Sequence, residues 1–246
     1  MEHTRALKGQ FKKLITGFVL EQTNEEPNWD NLKILHSWGA PGGGENDGMY
    51  YTFCRLHGTE YYDYRSAVTR FGQAHAFSEA IRNAHSQMDL EVSAPFDVIL
   101  VDEAQDFPPI FLELCYSMLD QNKRLVYAYD ELQNLGNQSL PSPEEIFGRN
   151  ADGTPRVPLS EPTQDIVLEK CYRNSRPVLS TAHALGFGVY READELTGTG
   201  LIQIFEQSSL WEDVGYSIVS GELKAGEEVV LSRTSSSSPD FLEKHS

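Results

Sequence analysis

The 246 residues carry 20 lysines and arginines against 37 aspartates and glutamates, a formal net charge of −17. That balance argues against a protein that coats nucleic acid by bulk attraction, so any DNA contact has to be local. The chain is 39% hydrophobic and 11% aromatic, an ordinary globular composition with room for two lobes, and no apolar run approaches the ~20 residues of a membrane span.

Taken in chain order, Thr4 to Leu20 has apolar residues at helical spacing, and its stretch Leu14 to Leu20 is too short and too internal for a signal peptide. No membrane is expected and the cytoplasm is the default compartment. Leu32-Lys33-Ile34-Leu35 reads as a short strand leading into His36-Ser37-Trp38-Gly39. The glycines at 42 to 44 then give a flexible loop, and Tyr61 to about Met88 is polar and periodic enough to be helical. Cys54, Cys115 and Cys171 lie far apart without a Cys-x-x-Cys pair. They are expected as buried, reduced thiols rather than a disulfide framework or a zinc cluster.

The run Phe96-Asp97-Val98-Ile99-Leu100-Val101 suits a strand buried on both faces of a parallel sheet, with Asp102 and Glu103 at its carboxyl end. Pro108 and Pro109 open a helix, and Arg124 to Tyr129 is the next strand. A polar stretch from about Gln138 to Pro162 separates this unit from a second series: strand Ile166 to Leu168, helix from about Pro177, strand Leu201 to Phe205, helix around Leu210 to Leu223, and strand Val229 to Leu231. The alternation predicts two α/β lobes.

Open parallel sheets bind ligands beyond the carboxyl ends of their strands, where two carboxylates would meet a nucleotide. Asp102 suits a Mg²⁺ ligand, direct or through water, and Glu103 suits the base beside a hydrolytic water. The bland alternative is that Asp102, Glu103 and Asp106 only cap the helix that follows.

Five further stretches stand in a fixed order around these acids. Asp102-Glu103-Ala104-Gln105-Asp106 resembles the Walker B motif of the UvrD/Rep-like superfamily 1 DNA helicases. Leu125 to Tyr129 followed by Asp130-Glu131-Leu132-Gln133 resembles that family's third motif, with Tyr129 in place of its glycine. Cys171-Tyr172-Arg173-Asn174-Ser175 is similar to its Asn-Tyr-Arg-Ser motif. Thr4-Arg5-Ala6-Leu7 resembles the tail of motif Ia, Leu35-His36-Ser37-Trp38 its Thr-Phe-His-Ser stretch, and Val230 to Thr234 the strand before Arg-Thr-Asn.

The resemblance implies ATP and Mg²⁺ as cofactors, with Asp102 on the metal and Asp102, Gln105 and Arg173 on the nucleotide. It makes Glu103 the catalytic base, lets Gln133 sense the γ-phosphate, and has Arg173 reach that phosphate from the second lobe across an interlobe cleft. Thr4, His36, Ser37 and Trp38 would face single-stranded DNA in the intact parent. An aromatic such as Trp38 stacks a base for about 1–3 kcal/mol, although a Trp after a strand is as often core.

The implied fold is α/β, RecA-like parallel sheets with flanking helices in two lobes, both incomplete. The first lobe is 1–140 with a helical insertion at about 45–92, and the N-terminal half of the second is 141–246. No Gly-x-x-x-x-Gly-Lys-Ser/Thr phosphate loop occurs. The resemblance therefore places that loop and the last helicase motifs on missing N- and C-terminal segments, leaving this chain inactive alone. The alternative is a non-catalytic α/β interaction or regulatory module derived from a helicase. A metal-dependent nuclease built on Asp97, Asp102, Glu103 and Asp106 ranks last, because Asp97 would lie about 17 Å from the others by strand rise.

Overall fold

The computed structural model describes residues 3–130, 140–168, 170–186, 208–224, 227–234 and 236–237. The chain divides into two compact units, Met1–Asp130 with Leu140–Gly148 and Glu131–Ser139 with Arg149–Ser246.

The first unit opens with α1, His3–Thr23. It ends where Asn24, at φ 57°, turns left-handed and donates its N–H to Leu20 O at 2.9 Å, a conformation that asparagine tolerates better than most residues. The strand expected at Leu32–Leu35 does not form. Those four residues run without a ladder partner among the described residues, and the only pairing nearby is a parallel bridge between His36 and Gly48. A side chain on either Gly39 or Gly48 would strike the backbone of the other, so the chain closes this loop by direct backbone contact that only glycines permit.

Helix α2, Met49–His57, buries Met49, Tyr50, Phe53 and Cys54 on one face and stops at Gly58, which is left-handed at φ 65°. The stretch expected to be helical from Tyr61 to about Met88 holds two helices. Asp63 caps α3, Tyr64–Phe71, by accepting from Ser66 N at 2.7 Å, and Gly72 at φ 79° ends it. After a turn, α4 runs Ala76–His85. The helical spacing was legible, whereas the break depends on one glycine adopting positive φ.

Strand β1, Phe96–Val101, is joined through α5, Pro109–Ser117, to β2, Leu119–Tyr127, and the strands pair in parallel from Val98 with Arg124 to Val101 with Tyr127. Strand β2 starts earlier and stops earlier than the expected Arg124–Tyr129, and an irregularity follows the first pair, Phe96 with Leu119. Burial of β1 on both faces is not observed. Ile99 and Val101 are buried, but Val98 is 47% and Leu100 74% exposed, as is Val126 at 57% on β2. Helix α5 covers one side of the pair, packing buried Phe111, Leu112, Leu114 and Cys115. Together with Tyr50, Phe53, Ile81, Met118 and Leu119, these fully or nearly fully buried side chains form the unit's core, each contributing about 1.5–3 kcal/mol by burial.

Within the polar stretch expected as a separator, a capping box between Ser142 and Glu145 starts α6, Pro143–Phe147. It sets Ile146 and Phe147 into the first unit, with Phe147 5.1 Å from the Tyr116 ring.

In the second unit the expected strand Ile166–Leu168 is absent from the sheet, and Ile166 and Leu168 are exposed. Helix α7, Arg176–Gly186, starts close to the expected Pro177. The expected strand Leu201–Phe205 lies outside the described residues. Instead of one helix over 210–223, α8 covers Ser208–Asp213, Gly215 turns at φ 89°, and β3 follows over Tyr216–Ser220. Strand β4, Val230–Arg233, pairs with β3 antiparallel, where a parallel sheet was expected. Trp211, Tyr216 and Leu223 form this unit's core, flanked by Val214, Ile218, Val229 and Leu231. Both units thus mix helices and strands, with a two-stranded parallel sheet in the first.

Candidate functional site

At the carboxyl end of β1 the chain leaves buried Val101 and presents Asp102 and Glu103, both exposed. The loop is pinned to the end of β2 by two backbone bonds: Ala128 N donates to Val101 O at 2.9 Å, and Ala104 N donates to Ala128 O at 2.8 Å. Between them Glu103 is left-handed, at φ 53° and ψ 48°. For a residue with a Cβ that conformation costs about 1–2 kcal/mol, and such strain is often stored at functional positions. A 3-10 turn, Ala104–Asp106, follows, with Asp106 N donating to Glu103 O at 3.0 Å.

Gln105 completes the loop. Its amide Nε2 donates to Glu103 Oε2 at 2.5 Å, and its Oε1 accepts from Asp130 N at 3.1 Å. One side chain therefore ties the Glu103 carboxylate to the backbone just beyond β2. Glu103 is the N-cap residue of the 3-10 turn and Pro108 that of α5, and neither makes a side-chain capping hydrogen bond. Asp102, Glu103, Gln105 and Asp130 are brought together here. Gln133 lies outside the described residues.

No group of three or more His, Cys, Asp or Glu able to hold a metal occurs among the described residues. An all-protein metal cage is thus not built here. The donor set fits Mg²⁺ in another way, since this ion keeps several waters and takes one or two carboxylates plus phosphate oxygens. Asp102, exposed at the end of β1, is the carboxylate that could serve such an ion.

Thr4 lies in the first turn of α1. His36 makes the bridge to Gly48, Ser37 O accepts from Tyr50 N at 3.0 Å, and Trp38 O accepts from Tyr51 N at 2.9 Å, so these carbonyls receive the first amides of α2. The Trp38 ring is half-buried, stacked on Phe77 at 4.8 Å and 22°, with Tyr50 and Tyr64 at its edges. Its indole N–H donates to Tyr62 O at 2.9 Å. One ring face is thereby taken by Phe77 and the indole orientation is fixed. Sequence reasoning missed the aromatic series that continues from there: Phe77 lies 5.7 Å from Phe111, and Phe111 4.7 Å from Phe107, the residue after the acid loop. These phenylalanines are spaced by the packing of α4 on α5, which no local pattern reveals.

In the second unit Arg173 is exposed in the turn that precedes α7. That turn and the start of α7 are held to the segment after β4 and to the end of β4, because Cys171 N donates to Ser237 O at 2.9 Å and Arg176 Nη1 donates to Arg233 O at 3.1 Å. Arg233 itself is only 7% exposed, with its guanidinium 5.0 Å over the Tyr216 ring and donating to Val214 O. It serves the core of this unit.

Comparison with protein-family models, curated proteins and solved structures returns no match.

Proposed function

We propose that this chain is part of an ATP-dependent motor on single-stranded DNA, of the UvrD/Rep-like superfamily 1 kind with RecA-like lobes. Asp102 would hold Mg²⁺ and Glu103 would accept the proton of the attacking water. The observation that carries this reading is the Gln105 clasp, which presents a strained, exposed glutamate at the carboxyl rim of a parallel strand pair. A nucleotide binds on that rim in open α/β sheets. Mg²⁺ bound there would neutralise developing phosphate charge. The chain's own residues would do the rest: Gln105 orients the base, Gln133 and Arg173 are assigned to the γ-phosphate, and Thr4, His36, Ser37 and Trp38 to the DNA strand.

No phosphate loop occurs in the 246 residues, so the reading assigns the phosphate cradle to a segment outside them. The 246-residue chain should then show no ATPase with or without single-stranded DNA. The polypeptide read in frame through an upstream Gly-Lys-Thr loop should hydrolyse ATP, faster with single-stranded DNA. Mg²⁺-dependent turnover by the short chain, abolished in Glu103→Gln, would show a phosphate site within it and overturn that division of labour. A second reading, a non-catalytic interaction module, is favoured by the apolar face of Val98, Leu100 and Val126. Absence of any upstream phosphate loop together with a cooperative, soluble short chain would select it.

A further inference from the structure

The strongest unassigned surface is the outer face of α1. Phe11, Ile15 and Val19 are half-buried on one side, while on the other Leu14 is 49%, Phe18 61% and Leu20 39% exposed. At 3.6 residues per turn, Gly17 and Glu21 run between Leu14 and Phe18 on one flank and Lys13 and Leu20 on the other. A Cβ on Gly17 would meet nothing within 4 Å, so a second backbone has room to approach there.

The charges on this helix are segregated along its length. Arg5, Lys8, Lys12 and Lys13 all precede Gly17, whereas Glu21, the one acid of the helix, follows it, with Glu25 and Glu26 just past the helix end at Thr23. Lys8 donates to Gly44 O at 2.8 Å and Lys12 sits 4.9 Å over the Trp29 ring, both within this unit. Exposed Lys13 has Gly9 and Gly17 at the positions four residues away, so no acidic neighbour on its own helix answers it. A parallel second helix would set like charges side by side. An antiparallel one would set opposite charges side by side.

We propose that this face binds a second copy of the chain, with α1 packed antiparallel on α1 about a two-fold axis at Gly17. That axis brings Lys13 level with Glu21 of the second copy and sets Leu14 and Phe18 of both copies on the same side of the contact. Such an interface is self-complementary, as a two-fold dimer requires. It is small, so the dimer is weak and, because its register is set by exposed ion pairs, salt-sensitive.

The test is sedimentation velocity of the 246-residue chain over a concentration series, with Lys13→Glu, Glu21→Lys and the double swap Lys13→Glu/Glu21→Lys, each checked for wild-type circular dichroism. Each single swap replaces two attractive pairs by two repulsive ones and should raise the dissociation constant about ten-fold. The double swap should restore it, and so should an equimolar mixture of the two single variants. Gly17→Leu, which favours the helix but fills the axis, should be monomeric. A wild-type chain that is monomeric throughout overturns the proposal, and so does a dimer that neither single swap weakens. Restoration missing from both the double swap and the mixture would exclude the antiparallel register. If the chain instead stays monomeric and pellets with phosphatidylserine vesicles, the face is a membrane surface and the proposal fails.

Discussion

Removing one oxygen from Tyr50 gives the most quantitative check on how the first unit is held. Tyr50 is fully buried, and its hydroxyl accepts from Tyr62 N at 3.2 Å. Burial pushes its phenol far above the ordinary range, so the group is neutral at any working pH. In Tyr50→Phe the Tyr62 N–H loses its acceptor within a residue that is 5% exposed. An orphaned buried donor costs about 1–3 kcal/mol. Tyr61 offers a control with the same chemistry and different burial: its hydroxyl donates to Gly39 O at 2.8 Å, but the residue is only half-buried. Water can replace that bond, so Tyr61→Phe should cost about 1 kcal/mol or less. Urea unfolding of the three proteins, followed by far-ultraviolet circular dichroism, gives both differences at an unchanged m-value. A Tyr61→Phe loss equal to or larger than that of Tyr50→Phe, or a Tyr50→Phe effect inside the ~0.5 kcal/mol typical of surface changes, would refute the reasoning.

Two further outcomes follow from the same unit. Leu114→Ala, at a fully buried position of α5, should lower stability by about 2–5 kcal/mol in denaturant titration, and an effect below that range would mean that α5 does not anchor the core. Asp63 is held below the usual carboxylate range by the Ser66 amide and hydroxyl. Its folded value lies under its unfolded one, so its contribution is present above about pH 4 and is lost as pH falls through the lower folded value. Asparagine keeps the cap without the charge, so Asp63→Asn should make the acid limb of a stability-against-pH profile shallower while leaving the alkaline limb unchanged.

Strand β1 and helix α5 were legible because their signals are local: an apolar run ending at Asp102, and a proline opening an apolar helix. The acids were legible as residues at a strand end, but the left-handed turn at Glu103 and the clasp by Gln105 were not. Both depend on where β2 ends and on the amide of Asp130, which lies 25 residues along the chain. Burial on both faces was read from composition alone, yet Val98 and Leu100 show that an apolar run does not say how many layers cover it. In the second unit, Tyr216 to Ser220 is rich in aromatic and β-branched residues, a strand signal masked by the helical spacing read across 210–223. The direction of β4 depended on the turn between it and β3, which no periodicity encodes.

The central claim is that Glu103 is the base of an ATP hydrolase. Its most direct test is Glu103→Gln in a polypeptide extended upstream through the phosphate loop that the proposal requires, comparing Mg²⁺-dependent binding of a fluorescent ATP analogue with single-turnover hydrolysis on single-stranded DNA. Glutamine keeps the shape and can still meet the Gln105 amide, so binding should be retained. Losing a positioned general base should slow hydrolysis by about 10²–10⁴-fold. Hydrolysis at the unsubstituted rate, with ATP bound normally, would contradict the assignment.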